Sequence, residues 1–201
     1  TNPTQTATTH PTTTRHRSMA ERSLLSNNNG FIILNKPTGI SSAAALRPLK
    51  KYYKGKIGHT GTLDPLATGM LVIALGQACK FAQYQLRADK SYRAGIRLGY
   101  QTDTDDITGK TVATAPIPKL SKDCIQQCLA SEFTGEILQT PPQYSALKFQ
   151  GKAYYQYARA GKHIECKARQ VRIHSYSNLS YSPGDGIIHI DIHCGSGTYI
   201  R

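Results

Sequence analysis

The run Gly58-His59-Thr60-Gly61-Thr62-Leu63-Asp64-Pro65 holds the residue best suited to chemistry. Asp64 sits in a loop rich in glycine, threonine and proline, just before the apolar stretch Met70 to Leu75. Pro65 restricts the backbone before it, and the nearby glycines let other groups come close. A carboxylate fixed at the mouth of a buried strand suits nucleophilic or base chemistry. An ordinary Asp-Pro turn is the commoner meaning of that dipeptide, so the loop alone leaves both readings open.

The other chemistry-bearing groups narrow less. The five cysteines, Cys79, Cys124, Cys128, Cys166 and Cys194, are odd in number and scattered, with no CxxC pair. They argue against a disulfide framework or zinc knuckle and for a reducing compartment. Cys124 and Cys128 lie one helical turn apart, but Ile125 and Leu129 beside them point to core packing rather than a metal. Asp103, Asp105 and Asp106 resemble the start of a calcium loop. Thr108 stands where such a loop needs glycine and Thr114 where it needs a bidentate glutamate, so a solvated turn is expected.

These groups need a scaffold, and the 201 residues suffice for one substantial core. Phe31-Ile32-Ile33-Leu34 reads as a buried strand closed by Lys36-Pro37-Thr38-Gly39. Ser41 or Ser42 can cap a helix that Pro48 limits or opens. The spacing predicts a loop over 58–69, a strand over 70–75, a short helix over 80–86 and a strand over 91–99. It then predicts a helix from Ser121 to about Phe133, a short aromatic helix over 154–159, and strands over 170–182 and 187–194. In the last, Ile188, Ile190 and Ile192 alternate with His189, Asp191 and His193. Strands outnumber helices without a βαβ rhythm, which predicts an α+β fold with a mixed, largely antiparallel sheet flanked by helices.

Residues 1–28 differ from the rest. Thr1 to Ala20 carries eight threonines, no acid and little to bury, so a disordered tail is expected before a domain over 29–201. Met19 is a candidate initiator. Arg15 and Arg17 give a faint transit-peptide character without an amphipathic pattern. No apolar stretch is long enough to cross a bilayer, and no apolar secretory segment opens the chain. The net charge of +13, from 25 Lys and Arg against 12 Asp and Glu, suits a polyanionic partner.

Longer matches decide between the open readings. The stretch Gly58 to Leu71 resembles the catalytic signature of the TruB family of tRNA pseudouridine synthases. Leu34-Asn35-Lys36-Pro37-Thr38-Gly39-Ile40-Ser41-Ser42 resembles the family's amino-terminal motif. Lys90-Ser91-Tyr92-Arg93, with Arg97-Leu98-Gly99 and Thr102-Asp103-Thr104-Asp105, resembles a second. Pro141-Pro142-Gln143-Tyr144-Ser145-Ala146-Leu147-Lys148, with Gly151-Lys152 and Tyr157-Ala158-Arg159, resembles a third. Gly197-Thr198-Tyr199-Ile200-Arg201 resembles a fourth. All stand in family order from about residue 30 onward.

The resemblance implies a pseudouridine synthase fold and the isomerisation of uridine 55 in the tRNA T arm. That reaction breaks the ribose C1′–base N1 bond, turns the base and rejoins it through C5. Nothing is oxidised, added or lost, so no cofactor and no metal are implied, and a cytoplasmic bacterial monomer bound to tRNA is expected. Asp64 carries over as the essential carboxylate, attacking sugar or base or removing a ribose proton. Arg201 carries over as its ion-pair partner and Tyr199 as a pocket wall. Tyr92 carries over as the ring that stacks on the flipped uracil, where stacking can return about 1–3 kcal/mol of the few that flipping costs. His59 carries over as the ring that fills the space the base leaves, with Thr62 RNA-facing on the same loop. Lys54, Lys56, Lys148 and Lys152 are assigned to phosphates, with solvated surface positions equally open to each.

Two departures stand out: Ser196 where the family usually has lysine, and Cys79 where threonine is common. Family members also continue beyond a residue like Arg201, finishing the core sheet and usually adding a carboxy-terminal RNA-binding domain. A carboxy-terminally truncated chain with exposed apolar edges and poor solubility is therefore expected. Two other readings stay open: an impaired tRNA-binding or tRNA-folding module, and a guide-RNA-dependent synthase.

Overall fold

The computed structural model describes residues 28–201, so all but the last residue of the Thr-rich tail lies outside the described residues. The chain divides after Ala82 into two compact units.

In the first unit, β1 (Gly30–Lys36), β2 (Ile57–His59) and β3 (Gly69–Leu75) form a sheet of order β1-β3-β2. Both pairings are antiparallel, from Gly30↔Leu75 to Lys36↔Gly69 and from Ile57↔Leu75 to His59↔Ile73. The central strand is the most apolar, and Leu71, Ile73 and Leu75 are buried against Ala45, Leu46 and Tyr53. Ile32 and Leu34 pack on this core while Phe31 and Ile33 of the same strand are exposed, the alternation that a pleated strand imposes. The helical segment divides into α1 (Ser42–Ala45) and α2 (Arg47–Tyr52). Ser41 caps α1, its hydroxyl accepting from the Ala44 amide at 3.2 Å, and Pro48 sits in the first turn of α2, where its missing N–H costs nothing. The expected 58–69 loop is shorter than predicted, because Gly58 and His59 pair with β3. A 3₁₀ helix (Gly76–Phe81) follows. Gly76 opens it at φ +57°, where a Cβ would stand 2.7 Å from the Tyr53 hydroxyl.

The second unit follows, with α3 (Ala82–Arg87) at the junction. Its main sheet joins β4 (Lys90–Arg97), β7 (Gly135–Gln139), β10 (Arg169–Ser182) and β11 (Ile187–Cys194) in the order β4-β11-β10-β7. Ile188, Ile190 and Ile192 of β11 are buried and His189 and His193 exposed, as the alternation predicts. Ile173, Ile190, Ile192 and Cys194 form the core, each buried isoleucine contributing about 1.5–3 kcal/mol. α4 (Lys122–Glu132) starts at Ser121, whose hydroxyl accepts from the Cys124 amide at 3.1 Å. It turns Ile125 inward, and Leu129 packs on the core. Cys124 and Cys128 are exposed, not core residues as expected. Each precedes its apolar neighbour by about 100° of helical rotation and so falls off the buried stripe.

Two small hairpins complete the unit: β5 (Tyr100–Thr102) with β6 (Thr111–Thr114), and β8 (Lys148–Phe149) with β9 (Lys152–Ala153), the latter followed by α5 (Tyr154–Arg159). Every strand pairing among the described residues is antiparallel, and the class is α+β.

Candidate active site

Asp64 is half-buried in the loop between β2 and β3. The loop is gripped from both sides by the segment that follows β1. Before Asp64, the buried Ser42 hydroxyl donates to the Leu63 carbonyl and accepts from the Leu63 amide, both at 2.9 Å. After it, the Pro65 carbonyl accepts from the Gly39 amide at 2.7 Å and from Lys36 Nζ at 3.3 Å. The Thr38 hydroxyl donates to the Leu66 carbonyl at 2.9 Å. The Asp64 carbonyl takes the Ala67 amide at 3.0 Å. The stretch Lys36 to Ser42 is thus a clamp for one loop.

Lys36 is fully buried, and its ammonium also donates to the Pro37 and Ile40 carbonyls, each at 2.8 Å. Burial pulls its pKa below the usual lysine value, and attraction to the Asp64 carboxylate partly offsets that. A buried cation held by three carbonyls therefore sends its field toward the carboxylate. Sequence reasoning missed Lys36, Ser42 and Thr38 as parts of the site. The available signal was a lysine closing an apolar strand, where a buried charge needs a partner.

The remaining first-unit candidates lie within this loop or before it in the chain. His59 ends β2 and is half-buried, so it stands on a paired strand rather than in the free loop expected for it. Thr62, Lys54 and Lys56 are exposed.

In the second unit, Arg201 is held by the turn over 104–106 and by Tyr144. Its Nη1 donates to the Thr104 carbonyl at 3.1 Å and to Asp106 Oδ2 at 3.2 Å, and its Nη2 to the Tyr144 carbonyl. Only 8% of the Asp106 side chain is exposed. Burial works to raise the Asp106 pKa, but hydrogen bonds from Thr108 and Thr104 and the Arg201 charge outweigh it and hold the group below the usual carboxylate range. This corrects the expected solvated turn at Asp106, whereas Asp103 and Asp105 are exposed as expected. Asp106 is an enclosed acceptor, taking the Thr108 amide at 2.8 Å and the Thr104 hydroxyl at 2.9 Å. Gly109 closes the same turn, and a Cβ there would lie 2.5 Å from Asp103 Oδ1 and 2.9 Å from the Thr104 amide nitrogen.

Tyr199 is fixed by the Gln139 side chain, which donates to its carbonyl at 2.8 Å and accepts from its amide at 2.9 Å. The Arg169 guanidinium lies 5.1 Å from its ring centre. Tyr92 on β4 pairs with Ile192 and is half-buried against the core of this unit. Lys148 and Lys152 are exposed on the β8–β9 hairpin. Among the described residues, no group of potential metal ligands includes Asp64.

A family model described as TruB family pseudouridylate synthase (N terminal domain) matches residues 49–200. The chain belongs to the TruB family. The tRNA pseudouridine synthase B of Aromatoleum aromaticum is 50% identical over 174 residues, covering 86% of this chain and 55% of that relative. The protein of the same name from Blochmanniella floridana is 47% identical over 86% of this chain and 67% of its own length. The chain thus spans about half to two thirds of these curated TruB relatives. Among solved structures it is similar to a chain in the crystal structure of a Cbf5-Nop10-Gar1 complex, with TM-score 0.60 and 28% identity over 86% of this chain and 41% of that one. A second is an H/ACA RNP bound to a substrate RNA containing 2'-deoxyuridine, with TM-score 0.57 and 25% identity over 92% and 42%. The fold is that of pseudouridine synthases, α+β with antiparallel sheets.

Proposed function

We infer that this chain carries the catalytic portion of a tRNA pseudouridine synthase that isomerises uridine 55 in the T arm. The observation that carries this reading is the grip on Asp64, a carboxylate set in a loop that five hydrogen bonds from the preceding motif hold at Leu63, Pro65 and Leu66. Such rigidity suits a group that must meet a reacting atom at fixed distance. Names and sequence identities of the TruB relatives support the substrate class.

In the proposed cycle the target uridine leaves its stack and lies against Tyr92, with Tyr199 as the opposing wall. His59 fills the space left behind, and Thr62, Lys54, Lys56, Lys148 and Lys152 meet the RNA. Ionised Asp64 attacks the sugar or base, or takes a ribose proton, as the C1′–N1 bond breaks. The uracil turns, C5 bonds to C1′, the C5 proton is lost and N1 gains one, so atoms and electrons balance without an added reagent. Arg201 acts as the ion-pair partner of Asp64.

The test incubates the protein with an unmodified tRNA transcript and maps pseudouridine in the T arm for wild type and Asp64→Asn. Formation by wild type alone supports the reading. Binding without conversion by wild type favours an RNA-binding module, and conversion only with added guide RNA a guided synthase.

A further inference from the structure

Away from the candidate active site, three side chains of the second unit stand in a metal-ligating arrangement. Asp89 immediately precedes β4, His174 lies on β10 and His193 on β11. One ligand atom from each falls within 4.8 Å of the other two. His174 Nε2 is 3.1 Å from Asp89 Oδ2. Two ligands of a tetrahedral zinc ion, with bonds of about 2.0–2.1 Å, lie roughly 3.3 Å apart, so this pair already has the spacing. The two imidazole centres are 4.8 Å apart and tilted by 38°. All three side chains are exposed, so rotation about side-chain bonds closes the remaining gap without moving backbone.

The sheet itself builds this corner. Ile173 pairs with Cys194 and Ser175 with His193, which leaves His174 as the extra residue of a β-bulge. A bulge re-aims a side chain, and here His174 and Ser175 are both exposed where strict alternation would bury one. On its other side β11 pairs with β4, His193 with Ser91 and Cys194 with Lys90, which brings the residue before β4 to the same edge. The neighbouring cations are directed elsewhere. Lys90 donates to the Gln85 and Ala88 carbonyls, and Arg93 to Asp191.

We propose that Asp89, His174 and His193 form a surface site for a divalent cation of the zinc class. Two imidazoles and one carboxylate suit zinc, whereas magnesium prefers oxygen ligands alone. Three protein ligands leave a position open to solvent. The isomerisation uses no metal, so the ion's work is structural: it ties the start of β4, the strand of Tyr92, to β10 and β11.

The test titrates Zn²⁺ alone into the protein at about pH 7.5 by calorimetry, beside His174→Gln, His193→Gln and a Cys124→Ser/Cys128→Ser variant. One equivalent is expected, with affinity at least about tenfold weaker in each histidine variant and unchanged in the cysteine variant. Ring-nitrogen NMR signals of His174 and His193 should move on zinc addition at about pH 7.5. Saturating zinc should raise the unfolding midpoint by about 5 °C in wild type and the cysteine variant, and by less in each histidine variant. Zinc affinity unaltered by either histidine change, or lost with the cysteine pair, overturns the proposal. Metal-free melting curves check that each variant is folded.

Discussion

The loop around Asp64 and the turn around Asp106 are both held rigid, by opposite means. The Asp64 loop is gripped through its backbone, and the clamp comes from a single contiguous segment, Lys36 to Ser42, whose buried cation donates only to carbonyls. The Asp106 turn works through its carboxylate, which receives two threonines of the same turn and an arginine from a distant stretch of the chain. The first arrangement fixes where a carboxylate stands through the main chain on either side of it. The second uses a carboxylate up in order to fix a guanidinium. Whether an acid is reagent or fastener thus depends on what its hydrogen bonds are made to.

The largest effect should come from the cation. Lys36→Met removes one donor from each of three carbonyls, of which Pro65 keeps the Gly39 amide, and removes the charge near Asp64. Pseudouridine formation should fall at least about 100-fold and unfolding free energy by about 2–4 kcal/mol, read from single-turnover assays and denaturant melts. A variant with unaltered turnover would show that the clamp does not need its charge.

Asp106→Asn should come next, costing about 2–4 kcal/mol by removing a charged acceptor from the enclosed Arg201 guanidinium. The wild-type carboxyl titrates below its unfolded value of 3.8. Its stabilisation is therefore complete above about pH 4 and is lost as pH falls below that. Melting midpoints from about pH 5 to about pH 2 should drop more steeply for wild type than for the variant. Equal slopes would mean that the carboxylate contributes nothing.

Ser42→Ala removes one donor and one acceptor at Leu63 and should cost about 1–3 kcal/mol, with turnover reduced more than tRNA affinity. Equal losses in both would assign the serine to folding alone.

The smallest effect belongs to Arg93 and Asp191, a pair on the solvent face of the sheet. The Arg93 hydrogen bonds and that from Asn178 hold the Asp191 carboxyl down at about 2. Arg93→Ala should return it toward 3.8 in an NMR titration. Any stability difference should be present above about pH 4 and vanish as pH falls below about 2, where the carboxyl is protonated in both proteins.

Much of this is legible in the sequence where burial imposes a period. The bounds of β11 follow to the residue because one face is buried and the other polar, and those of α5 because its aromatic run ends cleanly. Those of β2 do not, since Gly58 and His59 carry no apolar signal and owe their extended form to pairing with Ala74 and Ile73. Asp64 is visible from its loop. The groups that hold it are not, because Ser42 and Lys36 reach partners 21 and 29 residues away through carbonyls, which every residue has. Asp106 misleads because its acidic neighbours suggest water, and only the Arg201 contact distinguishes the enclosed carboxylate from exposed Asp103 and Asp105.

The β8–β9 hairpin has a consequence for how charge meets RNA. Its register pairs Lys148 with Ala153 and Phe149 with Lys152, through a turn at Gln150 and Gly151. Directly paired residues share a face of a ribbon, so the two lysines project from opposite faces. One phosphate strand lying along either face reaches one ammonium and not the other. The ribbon therefore presents its two charges in opposite directions and not along one flat rail.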